Sequence, residues 1–359
     1  MVLVVHSFRT SQRFSPFSKP VPIFIGGLMC STFQDIRKSF ASLRVENKQR
    51  HREIASFLNV TEVELIDSHV GVTKLESIKS FPNLARAIRL KPSWPSIIQD
   101  IQGFGEVMSL TRNTHAVHEN LSFYKHASSL DDVGMVLSEE LAIRLMYEKW
   151  EFGYLFEECK AHALQRSIQF FDEFGMPVHK IFLLPHSHHW YFDDLAKRWA
   201  DSNQEPGILV QEKLESDEQI KRGANASIID ERHVGQKEII DADVIQFLLR
   251  STVDLKLPLV ITVQSNGVSQ SHDGVLDEVR DHNHWLHLIN QQFNCHLQLT
   301  LMPKICINHQ ESPFLIEMFD KEGFLLASIA LSAKAAPADT GAWEELLEGV
   351  KGRELSLLE

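Results

Sequence analysis

The stretch RNTHAVHENL, residues 112–121, carries His115 and His118 three residues apart, beside Arg112 and Glu119. A neutral imidazole offers a lone pair to a transition metal or to heme iron, so this spacing is the first place to look for chemistry. A denser cluster follows in LLPHSHHWYFDD, residues 183–194, where His186, His188 and His189 precede Asp193 and Asp194. DHNHW, residues 281–285, adds His282 and His284. A protein-bound metal needs several ligands that converge. The context of RNTHAVHENL is strand-like, and an odd separation on a strand puts the two rings on opposite faces. The 183–194 cluster reads as a strand-to-helix turn, with its aspartates at the positive end of the helix. No metal site is therefore assigned. The chain also lacks H-E-x-x-H, G-x-S-x-G, a Walker loop and G-x-G-x-x-G, and no catalytic residue is assigned.

These residues must be positioned by a chain of 359 residues, 43% of them hydrophobic, which is enough for two domains with separate cores. The formal net charge of −12 repels nucleic acid and anionic membrane surfaces. The four cysteines, Cys30, Cys159, Cys295 and Cys306, form no C-x-x-C and read as reduced thiols. VPIFIGGLMC, residues 21–30, is too short to span a bilayer and has no small-x-small cleavage site. The expectation is that residues 1–28 are a disordered or over-read extension and that translation starts at Met29. No other segment approaches eighteen apolar residues, so a cytoplasmic protein without membrane insertion is expected.

Apolar spacing predicts helices over 33–67, with Thr61 and Glu64 forming a capping box. From about residue 104 the chain alternates like an antiparallel sheet and then closes on a helix in WYFDDLAKRWAD. Residues 201–238 are polar and aperiodic and read as a linker. A second β-rich region runs from Leu257 to Ser332, with a hairpin at Asn266-Gly267, and ends in the helix GAWEELLEGV. The two regions repeat each other. SIQFFDEFG (167–175) matches FLIEMFDKEG (314–323), and VLSEELAIRL (136–145) matches LINQQFNCHL (288–297). Each half then ends in a helix carrying a tryptophan, Trp190 or Trp343. A repeat of about 150 residues is a duplicated domain.

RNTHAVHENL, LAIRLMYEKW, RSIQFFDEFGMPVHKI, ANASIIDE, DADVIQFL and WLHLINQQF occur in an order that resembles the HemS/ChuS (HmuS) family of heme-utilisation, or hemin-degrading, proteins. The helical opening HREIASFLNVTEVEL fits as well, and the resemblance covers about residues 34–345. It implies an α+β fold of two tandem, structurally similar halves, each a large antiparallel β-sheet with flanking helices. The halves fall at 29–200 and 239–359, the second shortened. It implies a cytoplasmic protein that binds imported heme, passes it on, and in some members degrades it when supplied with electrons. A heme transporter or a heme oxygenase would be its protein partner.

Carried over residue by residue, the family's distal-side arginine is Arg144. Its axial histidine falls on Ile245 in DVIQF, and isoleucine has no lone pair for iron. A tyrosine and an arginine of the last strand are replaced by Ala330 and Ala333, with Lys334 adjacent. Three readings follow. Heme is held through another histidine: His118, His296 (the repeat-mate of Arg144) or His309. Alternatively, a related porphyrin is bound without iron ligation, or the chain is a non-enzymatic partner or regulator. IASFLNVTEVEL also imitates a helix-turn-helix, but its second helix opens on Thr61-Glu-Val-Glu64. That acidic start does not suit a DNA groove, so no nucleic-acid partner is expected.

Overall fold

The computed structural model describes residues 23–25, 28–30, 32–46, 48–75, 84–160, 163–211, 237–308 and 314–349. The expected extension over residues 1–28 lies outside this range, apart from β1 (Ile23–Ile25) and part of its hairpin partner β2 (Leu28–Cys30). Helices α1 (Phe33–Glu46), α2 (His51–Leu58) and α3 (Glu62–Asp67) follow. The expected capping box forms at α3: Thr61 N donates to Glu64 Oε2 at 2.8 Å, and Glu64 N to Thr61 Oγ1 at 3.2 Å. Glu62, Val63, Leu65, Ile66 and Asp67 of α3 are all buried, so this helix has no face to offer a DNA groove.

The N-terminal half continues with β3 (Ala85–Arg89), α4 (Trp94–Asp100), β4 (Glu106–Arg112) and β5 (Ala116–Phe123). A meander of β6 (His126–Leu130), β7 (Val133–Leu137) and β8 (Leu141–Met146) comes next. Strands β9 (Phe152–Cys159), β10 (Leu164–Phe171) and β11 (Pro177–Leu183) lead to α5 (Tyr191–Trp199). The C-terminal half repeats the order with β12 (Lys237–Ile239), α6 (Ala242–Asp254), β13 (Pro258–Ser265) and β14 (Val268–Val275). Its meander is β15 (Glu278–His282), β16 (Trp285–Ile289) and β17 (Phe293–Leu297). Strands β18 (Lys304–Asn308), β19 (Leu315–Phe319) and β20 (Leu325–Leu331) lead to α7 (Pro337–Gly349). Glu106 to Pro258 and His126 to Glu278 are both steps of 152 residues, whereas Phe171 to Phe319 is a step of 148.

The halves are not two separate sheets side by side. One nine-stranded sheet has the order β15-β16-β17-β5-β4-β11-β10-β9-β3, and the other β12-β18-β19-β20-β13-β14-β8-β7-β6. Each half therefore lends its three-stranded meander to the other half's sheet. The joints are the equivalent pairs β5–β17, with His118 opposite Cys295, and β14–β8, with Ser269 opposite Arg144. Inward-facing residues of both sheets fill two apolar cores. Trp94, Ile97, Ile98, Ile143 and Phe170 stand in one; Ile245, Leu248, Leu249, Phe293 and Trp343 stand in the other. A third core lies where α1–α3 cover the outer face of β3, β9 and β10.

Two turns depend on positive φ. Gly267 at +103° closes the expected β13–β14 hairpin, where a Cβ would lie 2.7 Å from Lys149 Cβ. Asn283 and His284 at 50° and 65° close β15–β16, so DHNHW is a hairpin turn. The repeat needs one correction. Trp190 precedes α5 and is 65% exposed, while Trp343 is buried within α7. The residue that fills the α5 core as Trp343 fills the α7 core is Leu195, also fully buried. Part of the expected linker, residues 201–211, lies against the N-terminal half. Gly207 N donates to Asp67 Oδ2 at 2.6 Å and Gln211 N to Glu173 O at 3.0 Å. The linker residues 212–236 lie outside the described residues.

Candidate functional site

Ile245 lies on the buried stripe of α6 with Leu248, Leu249 and Thr252. The matching stripe is Trp94, Ile97 and Ile98 of α4 with Ile101 just after it, at the same spacing. Ile245 is fully buried, in one apolar core with inward residues of β13, β19 and β20. Apolar packing fills the place where the resemblance expects an iron ligand.

Arg144 is on the opposite side of the same sheet. Its neighbours Ile143 and Leu145 are fully buried, and Arg144 itself is exposed on β8. The register carries this outer face from Arg144 to Ser269 and Gln264, and from Val260 to Ala330. Four adjacent strands span about 14 Å at the usual strand spacing. This face carries small residues, including Ala142, Ser271, Thr262 and Ser328. Arg144 and Ala330 therefore share a face, and Ile245 is separated from both by the sheet.

His118 lies between the two sheets. Strand β5 inverts the simple polarity rule, because its inward positions are Ala116, His118, Asn120 and Ser122. They belong to a buried hydrogen-bond chain whose directions the chemistry fixes. Gln270 Nε2 donates to Ser109 O at 3.3 Å and to His118 Nδ1 at 2.8 Å. Gln270 Oε1 accepts from Thr111 Oγ1 at 2.7 Å. Thr111 in turn accepts from His179 Nδ1 at 3.0 Å, and His179 Nε2 accepts from the Tyr124 hydroxyl at 2.7 Å. The Ser109 hydroxyl completes the chain by donating to Tyr124 at 2.8 Å. His118 thus spends its lone pair on Gln270, and its other nitrogen carries the proton. Burial lowers its pKa to about 3, and burial lowers that of His179 to about 3. The ring is fully buried, edge-on to Phe293 at 4.8 Å. No ligand reaches it while the sheets stay closed.

His118 and Gln270 are also repeat-mates, so this bond crosses the pseudo-twofold axis of the molecule. The next pair of mates, Asn120 and His272, does the same at 3.2 Å. Asn290 approaches the other nitrogen of His272 at 2.9 Å.

His296 is on the outer face of β17, where Arg144 is on β8. Its Nδ1 is 2.8 Å from His287 Nδ1. Burial, His287 and Arg50 lower its pKa to about 4. His309 lies outside the described residues. The structure therefore brings none of Arg144, His118, His296 and Ile245 to a common point. Among the described residues, no group of three or more His, Cys, Asp or Glu side chains could hold a metal ion. His186 bonds Glu106 at 2.6 Å on the surface, and His188 and His189 bond backbone carbonyls.

An open groove that the motifs did not indicate lies where the β5–β6 and β7–β8 turns meet. It holds about 400 Å³ and is lined by Phe123, Lys125, His126, Leu137, Ser138 and Glu139. Its signal in the sequence is weak: Lys125-His126 is an ordinary pair, and only the hairpin register brings Leu137 to it.

The haemin-degrading HemS/ChuX domain profile matches this chain twice, over residues 60–199 and 225–350. Two tandem copies of this domain define the class, and the chain belongs to the HemS/ChuX family. Hemin transport protein HmuS of Yersinia pestis is 22% identical over 338 residues, covering 85% of this chain and 94% of the relative. Hemin transport protein HemS of Yersinia enterocolitica is 21% identical over 357 residues, covering 90% and 99%. Among solved structures, the heme-binding protein PhuS of Pseudomonas aeruginosa in its holo form has a TM-score of 0.75 at 24% identity, over 89% of this chain and 99% of that one. The heme-degrading enzyme ChuS of Escherichia coli O157:H7 has a TM-score of 0.71 at 18% identity, over 89% and 99%. These structural likenesses establish the two-half fold. No helix among the described residues is long and apolar enough to cross a membrane.

Proposed function

We propose that the chain binds heme as cargo in heme-iron uptake and utilisation, and carries it in the cytoplasm to or from a transporter or a heme oxygenase. The observation that supports this reading is the complete two-half HemS/ChuX architecture, matched over nearly the whole length of hemin transport proteins. Reductant-dependent heme degradation is weak or absent in this reading. Ile245 supplies no proximal lone pair to hold iron for oxygen chemistry, and its site is filled by neighbouring apolar side chains.

A second reading follows from the same residue: a porphyrin bound without iron ligation, or a non-enzymatic partner. Titration with hemin and with iron-free protoporphyrin separates the two. A Soret band that shifts and saturates supports heme as cargo. Equal affinity for both compounds, with no ligand-field signature, supports porphyrin binding alone. No saturable change with either at micromolar concentration rejects both forms of binding. Adding ascorbate to the hemin complex should leave the Soret band standing; rapid bleaching with formation of a bilin would reject the statement on degradation.

A further inference from the structure

We infer that the chain self-associates through the free edge of β6, antiparallel to β6 of a second copy about a twofold axis at Ser128. The inference is independent of the reading of heme as cargo. β6 is the last strand of its nine-stranded sheet, and His126, Ser128, Ser129 and Leu130 are exposed on it. An edge strand offers unpaired N–H and C=O groups to another chain unless charge, proline or a bulge blocks it. HASSL has no carboxylate, lysine, arginine or proline, and its pairing with β7 runs without a register shift. Leu130 and Val133 flank the two-residue turn Asp131-Asp132, and such a pair exchanges both of its backbone hydrogen bonds. Alternation then turns the backbone groups of Leu130, Ser128 and His126 toward β7, and those of Ala127 and Ser129 out of the sheet. An axis at Ser128 sets Ala127 opposite the partner's Ser129, and Ser129 opposite the partner's Ala127, so these outward groups meet. The same register sets Lys125 opposite the partner's Asp131, twice by symmetry. Lys125 holds its ammonium 4.5 Å from the centre of the Phe123 ring rather than on a carboxylate, so its charge is available. The register also puts the partner's Leu130 beside His126 and Leu137. Leu130, Val133 and Leu137 share one face of the meander and are 78%, 37% and 45% exposed. A second copy brings both sets to one seam, which gives this exposed apolar area a partner.

The duplication provides an internal control. A step of 152 residues takes Lys125, Ser128, Leu130 and Asp131 to Asp277, Arg280, His282 and Asn283. The equivalent axis on the edge strand β15 sets Arg280 against the partner's Arg280, and like charges directly opposite repel. Asp277 meets the partner's Asn283 there, with no charge pair. Glu278, Arg280 and Asp281 also lie along β15, and Asp281 is tied to Arg250 of α6. One of two equivalent edges is guarded and the other is open. An isologous pair uses up the open edge, so association stops at two copies.

The test uses the full chain and four surface variants, with folding checked by circular dichroism. Sedimentation from low micromolar to submillimolar concentration should take wild type from monomer to dimer. Lys125→Glu should raise the dimer dissociation constant about tenfold, because it opposes like charges twice. Leu130→Lys should abolish the dimer. A non-hydrogen-bonded antiparallel pair brings its Cα atoms to about 4.5 Å, within disulfide reach. Ser128→Cys should therefore give a covalent dimer on oxidation, and Arg280→Cys should stay monomeric on a non-reducing gel. Wild type that sediments as a monomer at every concentration overturns the inference. A dimer that Leu130→Lys and Lys125→Glu leave intact overturns the β6 edge as its seam. Equal cross-linking of Ser128→Cys and Arg280→Cys overturns the axis at Ser128.

Discussion

The turn from Phe123 to His126 and the turn from Val275 to Glu278 occupy the same place in two copies of one fold, yet one is basic and aromatic and the other acidic and aliphatic. The contrast extends through the halves. In the N-terminal half, α1–α3 bury charge against the sheet. Glu62 accepts Lys180 at 2.9 Å and pairs with Arg112, and Glu158 pairs with Arg44 and His51. Burial would raise the Glu158 pKa, but His51 and Arg44 bring it down to about 2. Burial holds the Lys180 pKa well below its usual value. In the C-terminal half, the pairs Arg250–Asp281, Arg280–Glu278 and Lys334–Asp273 lie near the surface. The duplication has kept the strand order and the apolar cores, which many residues specify together. It has let single charged positions diverge, which is where a recognition site can arise in one copy only.

The largest expected effect is in acid, and it weighs more on the N-terminal half, although burial also lowers His272 and His296 of the C-terminal half to about 4. Burial holds His69, His118 and His179 of the N-terminal half near pKa 3, against 6.5 in an unfolded chain. A depressed histidine pKa means that the unfolded state takes up protons first. The contribution is complete above pH 6.5 and is lost as pH falls toward 3, at about 1.4 kcal/mol per pH unit for each ring. Urea midpoints measured from pH 7.5 down to 5 should fall steeply below pH 6.5. A flat profile would mean that these rings are solvated or paired when charged.

Next in size are the tryptophans that look like repeat-mates in the sequence. Trp343→Ala should cost about 3–5 kcal/mol, because the ring is fully buried and its Nε1 donates to Phe314 O. Trp190→Ala should stay within about 0.5 kcal/mol. Denaturant titration of the two variants side by side checks this, and similar losses would restore the apparent equivalence.

Gln270→Leu tests the bond across the pseudo-twofold axis. It strips partners from Thr111, His118 and Ser109 O at once and should cost about 2–3 kcal/mol. Because each sheet contains strands from both halves, the loss should appear in a single cooperative transition. Two separate transitions would mean that the halves are stable alone.

Ile245→His should cost about 1–3 kcal/mol, for a buried polar group without a partner. It should leave the hemin spectrum unchanged. A new bis-histidine spectrum in this variant would mean that a heme does reach α6.

Much of the fold can be read in the residues. The capping box Thr61-x-x-Glu64, the Asn266-Gly267 turn and the F-D-x-x-G repeat each encode local geometry and lie where the structure has them. The exchange of the meanders is not legible, because a repeat period says which segments match and not which of them pair. β5 misleads for another reason: in AVHENLSF the polar residues face inward, since they satisfy one another across the two sheets. That placement turns His118 from an apparent iron contact into a structural bond. The groove was illegible because its walls come from two turns, 123–126 and 137–139, that only strand register brings together.

The most direct measurement is the stoichiometry of hemin bound by the full chain, followed at the Soret band to saturation. Saturation at one equivalent is expected for one cargo molecule carried by the two halves together. Saturation at two equivalents would show that the halves remain functionally alike, and no saturation at micromolar hemin would contradict heme as the cargo.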